Sequence, residues 1–430
     1  MLAMLRTIAG PDAVVADGAT AAFAVDGLSP SCVVSPATVD EVSRCVAAIG
    51  EVGAVLIPTG NGSRLAIGLP PRRYDVAVST RRLRRVLAHE AADMTVSVEA
   101  GVTLAELNAV LGRAGQRLPL DPPHPERVTI GGLIASDASG PLRWSQGKVR
   151  DLLIGVKAVL ADGTVVKGGG RVVKNVAGYD LMKLFTGSFG TLGIIVEATF
   201  KVRPVPEREA VIVVPAATTV EALATALALL SAPLAPLSVD LVNGVAARRC
   251  GIDGPAVIVG CGGSTEEIAV QVERVRAQFS DCGVCVCDAA EGNRLSLALR
   301  DCPAADDFLF GCRLSVLPSK LTEVLPRIED EAARRGLVPL ILSHVGNGVV
   351  VLRLSGATAT NGSLPPFAEW MRAALRAASG WVVFDALPTA LKAQIDPWGT
   401  DIPGLELMRG IKRTLDPHDR LSPGRFVGGI

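Results

Sequence analysis

The residues best suited to chemistry here are glycines. Pro58-Thr59-Gly60-Asn61-Gly62-Ser63 follows the apolar run AVLIP, and glycines there let successive backbone N–H groups point at one anion with no Cβ in the way. The loop suits a pyrophosphate, although by itself it also reads as an ordinary turn after a strand. It is not a dinucleotide-binding fingerprint, because Leu65 stands at the third glycine position and no helical pattern starts there. A second segment, Thr129-Ile130-Gly131-Gly132-Leu133-Ile134-Ala135-Ser136-Asp137-Ala138-Ser139-Gly140, stays small, polar and glycine-bearing throughout. A third, VVKNVAGYDLMKLFTGSFGTLGII, carries Asn175, Gly178, Gly187, Gly190 and Gly193. Three such strips are costly in backbone entropy unless something lies against them. A long, flat, doubly phosphorylated ligand would account for all three.

The cysteines give a weaker signal. Cys282, Cys285 and Cys287 in DCGVCVCD have the density of a metal loop. However, no fourth ligand follows at matching spacing, and Cys285 and Cys287 fall on one face of a valine-alternating strand. A plain strand is the expectation, with the nine cysteines as small buried apolar groups.

The elements that must position the glycine strips can be read from periodicity. CVVSP is a strand, Thr38 and Glu41 cap a helix whose apolar face is Val39, Val42, Val46 and Ile49, and AVLIP is the next strand, a βαβ opening. DVAVS and TVSVEAG follow as strands, then a second capped helix with Thr103 and Glu106 at its start; the two βα segments read as one lobe. LLIGVKAVLADGTVVKGG folds back at Asp162-Gly163 as a hairpin, and TLGIIVEATFKVRP closes the unit as a long strand. From about Arg208 to Pro388 strands alternate with amphipathic helices and glycine turns thin out. That texture predicts an α+β layer with helices on one face of an antiparallel sheet. The expected division is 1–206, 207–390, and a basic helix and turn over 391–430 that return to the first unit.

Composition removes several alternatives. Lys plus Arg and Asp plus Glu balance at 43 each with no long run of either sign, which argues against a nucleic-acid partner. The uncharged stretch Ala222 to Val239 is punctuated by Pro233 and Pro236, too short for the ~20 residues of a membrane span. The N-terminus shows no basic segment followed by an apolar run, so the expected compartment is the cytoplasm, free or held at a membrane through a complex.

PTGNGS, TIGGLIASDASG, KNVAGYD, GSFGTLGII and the terminal LSPGR, in this order, resemble the vanillyl-alcohol-oxidase (PCMH-type) FAD-binding superfamily, and within it the FAD-binding E-subunit family of glycolate oxidases. The resemblance implies a PCMH-type FAD-binding domain of two α+β subdomains with an α+β cap over the flavin. It implies that Pro58, Thr59, Gly60, Asn61, Gly62 and Ser63 hold the pyrophosphate. Pro122, Thr129, Gly131, Gly132, Ser136, Ser139 and Gly140 would follow the ribityl chain and phosphates, with Asn175 in the third strip. Gly193, Ile194 and Ile195 would meet the adenine side. Arg425 stands where a basic residue closes the flavin site, or is an exposed helix-end charge. Ser63 replaces the His used in some relatives for covalent attachment and the second strip has no Cys, so the FAD is expected to be non-covalent.

Catalytic relatives that oxidise D-2-hydroxy acids carry a cap run His-x-Gly-Asp-Gly-Asn-x-His, suited to a divalent metal. Here it is His344-Val345-Gly346-Asn347-Gly348-Val349-Val350-Val351, and Phe189 stands where those relatives have Glu. No metal is expected, and His344 is the sole weak catalytic candidate, read first as structural or flavin-adjacent. His124 reads as a surface loop residue and Tyr179 as a helix anchor or a flavin-lining phenol. The implied partners are a homologous catalytic flavoprotein, an iron–sulfur subunit and a small 2-hydroxy acid. A self-sufficient dehydrogenase and a non-catalytic assembly subunit are the alternatives.

Overall fold

The computed structural model describes residues 1–171, 178–304, 308–356 and 362–430. Helix Val39–Glu51 begins where Thr38 Oγ1 accepts from the Glu41 N–H at 3.1 Å, and it packs Val42, Cys45, Val46 and Ile49 on a four-stranded sheet. The strand order there is Val14–Ala16, Cys32–Val34, Val76–Ser79, Leu56–Thr59, with the last three parallel. The strand Val76–Ser79 thus lies between the two strands of the βαβ opening.

Thr95–Glu99 and the capped helix Leu104–Gly112 belong elsewhere, which corrects the single-lobe expectation. Thr95–Glu99 pairs in a separate five-stranded antiparallel sheet, ordered Val86–Glu90, Thr95–Glu99, Ile194–Lys201, Leu153–Val159, Val165–Gly169. The chain changes sheet after Ser79 because two apolar faces must be buried separately, and each sheet has its own core. The Asp162-Gly163 turn forms as read, with Gly163 at φ 88°.

Beyond it lies an eight-stranded antiparallel sheet, ordered Cys285–Val286, Arg208–Pro215, Ala256–Gly263, Ser238–Val242, Val338–His344, Val349–Ser355, Phe310–Ser315, Trp381–Ala386. Helices Thr219–Ser231, Thr265–Gln278, Leu321–Arg334 and Leu364–Ala377 cover one face and enclose the largest core. Two further helices, Gly244–Cys250 and Ala289–Asp301, cover part of the other face. Alternation along the strands decides which side chains reach that second face. Val239, Leu241, Ile341, Cys312, Leu314, Leu352, Leu354 and Phe384 enter the main core, so Asp240, Arg313, Arg353 and Asp385 point the opposite way. His344 shares that direction as the cross-strand partner of Asp240.

The C-terminal helix Leu405–Leu415 returns to the first two sheets. Buried Lys412 donates to the carbonyls of Thr191 (2.9 Å) and Leu421 (2.8 Å) and pairs with Asp416 at 2.6 Å. Buried Lys392 pairs with Asp26 at 2.7 Å and donates to Ala66 O at 2.6 Å, tying the chain's end to the loop after Leu56–Thr59. Among the described residues no helix is long and apolar enough to cross a membrane.

Candidate functional site

Two adjoining cavities share Ser63 and Arg64: the first lies between the first two sheets, and the second between them and the eight-stranded sheet. The first is lined by Pro58, Thr59, Gly60, Gly62, Ser63, Gly131, Gly132, Ser136, Gly193, Ile194, Ile195 and Arg425, twelve residues expected to hold the cofactor. Asn61 sits in the same loop off the lining. Thr129 is buried behind it, and a Cβ on Gly60 would overlap the Thr129 hydroxyl, so the first and second strips touch only because residue 60 is glycine. Ser139 and Gly140 line the second cavity instead, Pro122 lines neither, and Asn175 lies outside the described residues.

The first loop fits a diphosphate. Among the described residues the N–H groups of Gly60, Asn61, Gly62 and Ser63 have no backbone acceptor, and Gly62 takes φ 76°, a conformation that lets successive amides converge on one anion. The second strip works differently. Residues Ile130–Ser136 coil into a short helix capped by Thr129, and its first amides are spent on Val102 O and Ala100 O. Its glycines therefore give room rather than donors: a Cβ on Gly131 would press on Ala100 at 3.1 Å.

Arg425 is buried, which removes the reading of an exposed helix-end charge. Its Nη2 donates to Leu65 O and to Ile67 O (2.8 Å), and its own carbonyl accepts from Leu69 N (3.0 Å) and Trp398 Nε1 (3.1 Å). It clamps the loop that follows the glycines, while its Nε is buried without a partner among the described residues. Burial lowers its pKa. Phe189, at φ 51°, stacks on Phe426 at 5.5 Å and meets Trp398 edge-on at 4.9 Å, so an aromatic wall borders the first cavity.

The second cavity, of about 450 Å³, is where sequence reasoning missed most. His344 lines it and is buried. Its Nδ1 lies 2.6 Å from Asp240 Oδ1, and Asp240 is fully buried with Oδ2 unpartnered among the described residues. Arg313 and Arg353 both bind Asp385, at 2.9 and 2.8 Å, and the two guanidiniums outweigh burial to hold that carboxyl below its ordinary range. Arg64, Arg127, Arg300 and His124 complete the polar lining. Asp121, beside this group, is pushed up to about 6 chiefly by burial, against the N–H of Leu142 that it accepts at 2.8 Å. Val351, at the place of the second histidine of the catalytic relatives, lines the same cavity. Among the described residues no three His, Cys, Asp or Glu side chains converge as a metal set, the edge-strand cysteines included. Tyr179 is 91% exposed, away from both cavities. The missed signal was charge inside apolar strands, in SVDLV, FGCRLS, VVVLRLS and WVVFDA, where one charged residue interrupts each run.

Comparison with known proteins fits this arrangement. Residues 30–169 match the family model "FAD binding domain", and residues 390–426 match "FAD linked oxidases, C-terminal domain". The mitochondrial D-lactate dehydrogenase [cytochrome] of Arabidopsis thaliana is 26% identical over 431 residues, 93% of this chain and 73% of that protein. Glycolate oxidase subunit GlcE of Escherichia coli (strain K12) is 34% identical over 176 residues, 41% of this chain and 49% of that protein. GlcD of Bacillus subtilis (strain 168) is 35% identical over 178 residues, 41% of this chain and 38% of that protein. These two alignments span less than half of each subunit. A crystal structure of p-cresol methylhydroxylase with substrate bound superimposes with a TM-score of 0.80 at 15% identity, over 99% of this chain and 95% of that one, a likeness of fold. Residues 30–169 are therefore an FAD-binding domain in a PCMH-type α+β fold, FAD is the cofactor, and the protein is an FAD-linked oxidoreductase.

Proposed function

We propose that the protein oxidises a small D-2-hydroxy acid at the wall shared by its two cavities. In this reading residues 1–206 bind FAD, 207–390 form the cap, and 391–430 return to the FAD domain. The observation that carries it is the His344–Asp240 pair, 2.6 Å apart and buried, on the rim of a cavity that shares Ser63 and Arg64 with the flavin cavity. With Asp240 Oδ1 as the acceptor, Nδ1 carries the ring proton and Nε2 is left as the acceptor nitrogen. His344 is then able to take the hydroxyl proton while its orientation is held from behind. Bound FAD supplies the two-electron acceptor. The D-lactate dehydrogenase likeness over 93% of the chain supports this substrate class.

A second reading has a specific observation in its favour. Phe189 puts an aromatic ring where catalytic relatives have a carboxylate, and Val351 replaces their second histidine. On that reading the chain is the E-type FAD-binding subunit of a glycolate oxidase, working beside a homologous catalytic flavoprotein and an iron–sulfur subunit, and the 34% identity to GlcE supports it. Anaerobic stopped-flow mixing of the purified holoprotein with glycolate and D-lactate separates the two. Flavin bleaching at a rate fit for turnover supports oxidation by this chain. Slow or absent bleaching, with turnover appearing only after partner subunits are added, overturns it for the subunit reading.

A further inference from the structure

The second cavity holds more positive charge than its carboxylates balance. Arg353 is fully engaged: Nε donates to Pro303 O at 2.8 Å, Nη1 to Leu352 O at 3.0 Å and to Asp385 Oδ1 at 2.8 Å, and Nη2 to Asp385 Oδ2 at 3.2 Å. Arg313 meets the same carboxylate through Nε alone, and its two Nη nitrogens carry no partner among the described residues. A register shift between Gly311 and Arg313 against Trp381–Ala386 brings Asp385 into this shared position. Arg64, from the glycine loop, stands near both guanidiniums and Asp385, and among the described residues its side chain meets no carboxylate; its Nε is buried without any acceptor. Three guanidiniums around one carboxylate are unfavourable in a half-buried place unless an anion joins them. Burial, reinforced by Arg313, lowers Arg64 to about 9, which leaves it charged at neutral pH.

Position says which anion. Arg64 lines both cavities, and Arg313 shares with His344 the second cavity and a smaller one behind it. An oxyanion between Arg64 and Arg313 would hold its neighbouring carbon at the boundary with the flavin cavity and on the His344 side. We propose that Arg64 and Arg313 form a carboxylate clamp, with Arg64 the residue that selects acids bearing a carboxylate next to the carbon to be oxidised. Planar guanidinium forks with free N–H groups match a carboxylate's paired oxygens. The identity of the acid rests on the function proposed above; the existence of the anion recess does not.

Oxalate, a carboxylate probe that cannot be oxidised as a hydroxy acid, tests the clamp without turnover. It is titrated into the holoprotein while the flavin absorbance is followed, with wild type, Arg64→Gln, Arg64→Lys and Arg313→Gln compared. The expected result is an oxalate dissociation constant raised about 30-fold or more in Arg64→Gln and about 10-fold or more in Arg313→Gln, with partial recovery in Arg64→Lys. Arg313 borders no part of the flavin cavity, so its variant stays informative even if Arg64→Gln loses FAD. Wild-type protein that binds no oxalate, or glutamine variants that bind it as wild type does, would overturn the clamp. Arg64-dependent oxalate binding without hydroxy-acid turnover would remove the proposed function and leave the clamp. Turnover with an unchanged KM in Arg64→Gln would do the reverse.

Discussion

Asp240 and His344 face each other directly across neighbouring antiparallel strands, and their side chains meet at 2.6 Å on the face turned toward the FAD-binding domain. Two strands from different parts of the chain thus fix one imidazole. If it takes the substrate proton, His344→Gln should lower kcat by about 10²–10⁴-fold with FAD content unchanged. Asp240→Asn, which can no longer enforce the ring tautomer, should lower kcat while leaving KM near wild type. Steady-state kinetics on flavin-loaded variants decide it, and equal rates for His344→Gln and wild type would remove the base from the mechanism.

Gly60 and Gly62 should respond differently to alanine. At Gly60 the new methyl group would collide with Thr129 and force the first loop off the second strip, so FAD affinity should fall about 10–100-fold. At Gly62 the nearest atom to a new Cβ is Leu65 Cδ1 at 3.6 Å, and the cost is the φ of 76°, about 1–3 kcal/mol of backbone strain. Calorimetric titration of FAD into each apoprotein reports the order. Normal binding by Gly60→Ala would disconnect this loop from the cofactor.

Arg425→Ala should cost stability and cofactor together. It removes the donor to the Leu65 and Ile67 carbonyls, each lost bond to a buried group costing about 1–3 kcal/mol, and frees the loop that carries Arg64. Thermal melts with and without added FAD should show a lower Tm and a smaller shift on FAD addition. An unchanged FAD-dependent shift would make Arg425 a purely structural clamp.

Asp121 sets a pH signature. Its folded pKa of about 6 lies above the ordinary carboxyl value, so its stability contribution is full below about pH 4 and is lost as pH rises through 6. Asp121→Asn should therefore stabilise the protein at pH 7.5, by up to about 2–3 kcal/mol, and bring no gain at pH 4. Denaturant unfolding at the two pH values measures it; a variant less stable at pH 7.5 would mean that the carboxylate's bond to Leu142 N outweighs its burial.

Acid precipitation of the purified protein should leave the yellow colour in the supernatant. Ser63 stands where some relatives attach flavin through His, and the lining of the first cavity contains neither His nor Cys. Flavin retained in a washed pellet would show a covalent link.

Local patterns carried much of this protein in its sequence. The first glycine loop, the Thr38 and Thr103 helix starts and the Asp162-Gly163 turn depend on residues a few positions apart, and each forms as its local chemistry directs. What the sequence could not determine lies across distance. Nothing near Thr95 says that its strand leaves the first sheet, because that depends on which long-range partner buries its apolar face. Neither does SVDLV say that Asp240 will meet a histidine 104 positions away, nor FGCRLS that Arg313 will share Asp385 with Arg353. Strand alternation assigns each charge a face. Only the pairing of strands, with its register shift beside Asp385, decides what the face looks at, since a charge excluded from the main core is stable only where tertiary structure brings a partner or a ligand to it.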